Sequence, residues 1–171
     1  MVSQRLHLSG IDEGLEVRVV TKLRGADSPS KVSHCLRQLF PDLQEWTLPE
    51  EPSYLQPIDI DWMFEHVNLR HFLSVLHQQK ILDTALDVMS ANIHNNSIQF
   101  SLSRQAAFSG KIAFPIPNEV PLGGVLEVYI EGIGIRDWLE AATWHPGRTT
   151  VPRMIDDDLA MHPDGDSSTW H

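Results

Sequence analysis

The apolar residues of the chain fall into segments with different periods. Leu15, Val17, Val19 and Leu23 occupy odd positions, while Glu16, Arg18, Lys22 and Arg24 occupy even ones. Period-2 alternation predicts a strand with one dry and one wet face. Gly25-Ala26-Asp27 interrupts it. Ser28 then offers a side-chain acceptor ahead of Pro29, a residue the first helical turn tolerates because its N–H is not needed there. Val32, Cys35, Leu36, Leu39 and Phe40 follow at helical spacing and predict an amphipathic helix that Pro41 stops. Cys35 lies on the apolar stripe and reads as a buried structural thiol. Residues 43–48 are expected to form a short strand. The proline-rich stretch 49–57 reads as an exposed loop. Over residues 58–68 no period dominates.

Residues 69–93 carry the strongest helical pattern. Leu69, Phe72, Leu73 and Leu76 share one face, and Leu82, Ala85, Leu86, Met89 and Ile93 share another. The polar triplet Gln78-Gln79-Lys80 stands where a continuous helix would need an apolar residue, so two helices or one bent helix are expected. Ile98, Phe100 and Leu102 then alternate with polar residues, and Phe108, Ile112 and Phe114 do the same. Together they predict a hairpin turning at Arg104-Gln105-Ala106-Ala107. Residues 125–130 read as a further strand and 135–142 as a short helix. From about residue 149 the patterning fails. The expected order is β-α-β-loop-α-α-β-β-β-α in a single α+β domain over residues 1–149. Strands clustered after helices favour a curved antiparallel sheet with helices packed on one face. Residues 150–171 read as an acidic, disordered tail.

Composition narrows the possibilities. The chain has 171 residues, a hydrophobic fraction of 42%, and 13 Lys+Arg against 23 Asp+Glu for a formal charge of −10. That argues against a protein that coats nucleic acid through bulk charge. The charge is uneven, with net −5 over residues 1–68, +2 over 69–114 and −7 over 115–171. Only the middle segment is not repulsive to an anionic partner. One cysteine excludes an internal disulfide and a multi-cysteine zinc site. No apolar run approaches a membrane span, and residues 1–10 lack a signal-peptide core. A cytoplasmic protein without a membrane partner is expected.

Recognised chemistry is sparse. No glycine-rich phosphate loop precedes a helix, and HExxH, GxSxG and CxxC are missing from the sequence. Gly123-Gly124 precedes a strand and reads as a turn. The nine histidines show no metal-ligand spacing. Asp83 and Asp87 are four apart on a helix, where solvated acids are common, and Asp83 suits the positive end of the helix dipole. No catalytic residue, metal or cofactor is expected.

Two segments carry a resemblance. Gln79-Lys80-Ile81-Leu82-Asp83-Thr84-Ala85, followed by Leu102-Ser103-Arg104-Gln105-Ala106-Ala107-Phe108-Ser109-Gly110-Lys111-Ile112, resembles the two central motifs of an uncharacterised archaeal family whose members are commonly described as RNA-binding proteins. Pro121-Leu122-Gly123 and the early Leu39-Phe40-Pro41-Asp42 are similar to that family as well. The resemblance covers about residues 14–149. It implies an archaeal source and a fold like the large-subunit ribosomal protein that binds 5S rRNA. A related group has been proposed to work beside the RNA-degrading exosome. The chain departs from the pattern at Ser103, where Asn is common, and in its acidic tail.

The resulting expectation is a non-catalytic protein that binds structured RNA, in RNA processing or ribosome-related metabolism, alone or within a protein complex. Arg104 and Lys111 flank the hairpin motif, and Lys80 precedes the second of the paired helices. Gln105 can both donate and accept hydrogen bonds. Arg18, Lys22 and Arg24 share the wet face of the first strand and extend the surface. Basic groups hold phosphates, while amides read base edges or the 2′-hydroxyl. No aromatic platform for single strands is evident near these residues. The alternative is a protein-interaction module without RNA contact, whose acidic flanks dock on a basic partner.

Overall fold

A computed structural model of the chain describes residues 7–152 and residue 155. The first strand, β1 (Glu16–Gly25), buries Val17, Val19, Thr21 and Leu23 and leaves the even positions outward, as its parity predicts. Helix α1 (Pro29–Leu39) follows. Its first turn is capped by the Ser28 hydroxyl, which accepts from the Lys31 N–H at 3.4 Å.

Residues 43–48 do not form the expected strand. The Leu43 carbonyl accepts from Arg37 Nη1 at 2.7 Å instead of a neighbouring strand. Trp46 packs against Trp62 and Phe64, with ring centroids 5.8 and 4.7 Å away. Those two rings belong to β2 (Ile58–Glu65), the stretch whose sequence showed no period.

Helices α2 (Arg70–Gln78) and α3 (Leu82–Ala91) are separated at the predicted polar triplet, where Lys80 adopts φ 59°. Strand β3 (Ser97–Ser103) leads into a five-residue helix, α4 (Arg104–Phe108). This corrects the expected hairpin. The Ser103 hydroxyl accepts from the Ala106 N–H at 3.3 Å, so the residue ending the strand starts a helix. The returning segment 111–114 touches β3 through one ladder bond, from the Ser103 N–H to the Ala113 carbonyl at 2.9 Å. Strand β4 (Val125–Glu131) and helix α5 (Ile135–Ala142) complete the fold.

The sheet has the order β2-β1-β4-β3 with every pair antiparallel. It is open at both edges. Val17, Val19, Leu23, Ile98, Phe100, Leu126, Val128 and Ile130 point from it into one core shared with Leu36, Leu39, Phe72, Leu76, Leu86 and Leu139 of the helices. The helices therefore cover one face, and the architecture is α+β as expected.

Two polar clasps tie the periphery to this core. The Glu13 carboxylate accepts from the Ser9 and Gly10 amides at 2.9 and 2.8 Å and from the Trp138 indole at 2.8 Å. Asp83, in the first turn of α3, is held by Arg148 at 3.0 Å and His145 at 3.0 Å. Ile155 is half-buried against the core. The remainder of the expected acidic tail, residues 153–154 and 156–171, lies outside the described residues.

Candidate nucleic-acid interface

The expected RNA-binding residues divide between two places. Arg18, Lys22 and Arg24 lie on the open face of the sheet. Antiparallel register fixes their neighbours, because directly opposite residues share a face. Arg18 stands between Glu65 and Tyr129, Lys22 faces Asp61, and Arg24 faces Asp59. Arg24 is bound to Asp59 at 2.9 Å and to Asp61 at 2.6 Å. The Arg18 guanidinium lies 4.8 Å from the centre of the Tyr129 ring. The Tyr129 hydroxyl in turn donates to Glu127 at 3.0 Å. Burial, together with that neighbouring carboxylate, raises the Tyr129 pKa above its ordinary value. Glu16 and Glu131 are paired in register at the end of the same face. Acids thus outnumber bases on this surface.

The second place is the corner built by α4, the N-terminal end of α1, the α2–α3 break and residues 121–124. Arg104 is at its floor, and its side chain is only 6% exposed. It donates to the carbonyls of Gly123 at 2.5 Å and Lys22 at 3.2 Å, to the Thr21 hydroxyl at 3.3 Å and to Asp27 at 3.1 Å. Asp27 also accepts from the Arg24 N–H at 2.9 Å. Gly124, at φ 80°, lets the guanidinium lie where a Cβ would stand. Arg104 therefore organises the corner from within and presents no free guanidinium to a ligand. Beneath it the Cys35 thiol is buried and donates to the Arg104 carbonyl at 3.2 Å. Burial pushes that thiol's pKa up even beside Arg104, which makes it a poor nucleophile.

Around this floor the lysines behave differently. The Gln79 carboxamide donates to the Ile112 carbonyl at 2.9 Å and accepts from the Ile112 N–H at 2.7 Å. This two-point clasp sets Lys80 and Lys111, the chain neighbours of the clasped residues, at one corner. Both are exposed, and neither makes an ion pair among the described residues. Gln105 is exposed one residue beyond Arg104 and lines a groove of about 590 Å³ with Lys31, Phe108 and Leu122. Phe108 is 46% exposed and its ring lies 4.8 Å from that of His34. The expectation that no aromatic surface lies near these residues is thereby corrected.

Sequence reasoning missed Gln79, Lys31, Asp27 and Phe108 as parts of one corner. Gln79 and Phe108 lie inside the two quoted motifs, and that was the available signal. Asp27 gives none, because its partner Arg104 is 77 residues away.

Among the described residues no group of three or more His, Cys, Asp or Glu side chains converges to hold a metal ion. No helix among them is long and apolar enough to cross a membrane.

With this geometry in place, relatives can be compared. A UPF0201 protein of Sulfurisphaera tokodaii is 30% identical over 131 residues, covering 75% of this chain and 88% of that protein. A second, from Saccharolobus solfataricus, is 31% identical over 138 residues, covering 77% of this chain and 90% of its own length. The chain belongs to the UPF0201 family. No protein-family model matches it. The crystal structure of a UPF0201 protein from Methanococcus jannaschii shares the fold, with a TM-score of 0.62 at 24% identity over 77% of this chain and 96% of that one. The archaeal family implied by the central motifs is therefore established, and these UPF0201 relatives carry names that state no activity or ligand.

Proposed function

We propose that this UPF0201 protein is a non-catalytic RNA-binding protein that engages structured RNA at the α4 corner. The observation carrying this reading is the Gln79–Ile112 clasp, which joins the segments that carry Lys80 and Lys111, two exposed lysines without an ion pair among the described residues. Lysines hold phosphates without reading sequence. Lys31 adds a cation on the adjoining groove, although Glu51 stands near it. Gln105 can pair with a base edge or a 2′-hydroxyl, and Phe108 offers a face on which one unpaired base can stack. A stem with a loop or bulge supplies all of these at once: phosphates for the lysines and a splayed base for the groove. The open sheet face plays no part, since its acids repel a phosphate backbone.

The test is an electrophoretic mobility shift with an RNA hairpin, a perfect RNA duplex and a single-stranded RNA, at low and moderate salt. The hairpin is expected to bind best, with affinity falling steeply as salt rises. Lys80→Ala with Lys111→Ala should weaken binding roughly tenfold and reduce the salt slope by about 1.5. No shift of any RNA at any salt overturns the reading and leaves a protein-interaction module. Arg104→Ala is the wrong probe, because removing that side chain disturbs the fold.

A further inference from the structure

Strand β3 lies at one edge of the sheet, with β4 on one side of it only. Antiparallel pairing turns alternate residues toward and away from a neighbour. Ser97 bonds away from β4, exchanging N–H and C=O with His94 at 3.1 and 3.0 Å, and Ser103 bonds away from it to Ala113. By that alternation Gln99 and Ser101, between them, also direct their amides and carbonyls away from β4. Neither has a backbone partner there among the described residues. A window of four unpaired main-chain groups is left, closed at one end by His94 and at the other by Ala113.

The window opens into a groove of about 970 Å³ between the β3 edge, the C-terminal end of α3 and the loop 115–121. Its apolar lining includes Ile93, Phe100, Ile116 and Val120. Ile116 and Val120 are 64% and 92% exposed. The charged side chains lining it are Asp87 and Glu119, with no lysine or arginine among the lining residues.

We propose that this groove binds an extended peptide that carries a basic residue within an alternating apolar segment. Paired donors and acceptors at strand spacing select extended backbone, the apolar walls take alternate side chains, and the Glu119 carboxylate on the exposed loop selects a cation. An RNA is disfavoured, because no lysine or arginine lines the groove. A second copy pairing through its own β3 is blocked, because the positions opposite Ser97 and Ser103 are already filled by His94 and Ala113 on both copies. Apart from Pro121 at their boundary, the site has no residue in common with the α4 corner and none of its proposed RNA contacts, so it stands or falls independently of RNA binding.

A library of random linear twelve-residue peptides displayed on phage, selected against the full chain, tests this. Enriched peptides should share Lys or Arg within alternating apolar residues and lack a central proline. A synthetic winner should shift the Gln99 and Ser101 amide resonances and slow their hydrogen exchange. Glu119→Lys and Val120→Asp, both on the exposed loop and remote from the core, should each weaken that peptide by roughly tenfold. The proposal is overturned by any of three results: no enrichment, winners without a basic bias, or binding that leaves the Gln99 and Ser101 amides unmoved.

Discussion

The open sheet face and the α4 corner both gather cations, yet only the sheet face sets an acid opposite each of them. On β1, Arg18, Lys22 and Arg24 alternate with buried residues and look equally free in the sequence. Register places Asp59, Asp61 and Glu65 of β2 opposite them, and β4 adds Tyr129 beside Arg18. At the corner, Arg104 is consumed by four acceptors from three segments, while Lys80 and Lys111 make no ion pair among the described residues. Arginine's planar fork suits multiple fixed acceptors, whereas lysine's point charge suits exposure. Availability of a cation is decided by what folding brings opposite it, which local charge counts do not contain.

Substitutions can break this contrast or sharpen it. The largest effect is expected from Arg104→Ala, which strands Asp27 and two carbonyls and should cost about 3–5 kcal/mol in urea unfolding. Arg104→Lys should rescue little of it, since one ammonium cannot reach all four acceptors. Unchanged stability would return Arg104 to the set of free ligands. Gly124→Ala should follow at about 1–3 kcal/mol, because the residue holds a left-handed conformation against the guanidinium. Next comes RNA affinity. Lys80→Ala with Lys111→Ala should lose roughly tenfold, whereas Lys22→Ala should stay within about twofold. Equal losses would erase the distinction between the two surfaces. Asp59→Asn with Asp61→Asn should leave the unfolding midpoint nearly unchanged and raise RNA affinity by about twofold at low salt, by lightening the acidic face.

The smallest effect concerns pH. Burial pushes the Asp83 carboxyl up, but hydrogen bonds from His145 and Arg148 outweigh it and hold its pKa below the ordinary 3.8. A depressed folded-state value stabilises fully above the unfolded value and loses its contribution as pH falls through the folded one. Acid titration of unfolding should therefore show a decline beginning below about pH 4 that Asp83→Asn flattens.

Much of the fold was legible because each element announces its own period and punctuation. Strand β1, helix α1 with Ser28 and Pro29, the break at Lys80, β3, β4 and α5 all appear near their predicted places. Helix α4 was hidden because five residues are too few to show a period, and alternating segments flank it on both sides. The Ser103 cap was its one local sign. Strand β2 was obscured by Trp62-Met63-Phe64, an unbroken apolar run. Met63 is 58% exposed on the open face, so the alternation is real but its outward residue is apolar. The segment 43–48 misled in the opposite sense, its pattern resembling a strand while Arg37 takes its carbonyl. The motifs located the corner, but burial of Arg104 depends on Thr21, Asp27 and Gly123, which no local reading joins to it.

The Gln79 side chain performs a task normally given to a length of backbone. Its carboxamide meets Ile112 as a peptide group in a neighbouring strand would, donating once and accepting once. One side chain thereby pins the return of the chain after α4 to the bend between two helices, which cannot straighten without losing both bonds. The two hydrogen bonds thus constrain how far the flanking lysine backbones can separate. An anion that spanned both, as proposed, would pay little ordering entropy for the scaffold, only for the lysine side chains themselves. Replacing Gln79 with glutamate preserves the size of the group but turns one donor into a second acceptor facing a carbonyl. The bend would be freed without any change to the lysines, separating the worth of the charges from the worth of holding them still.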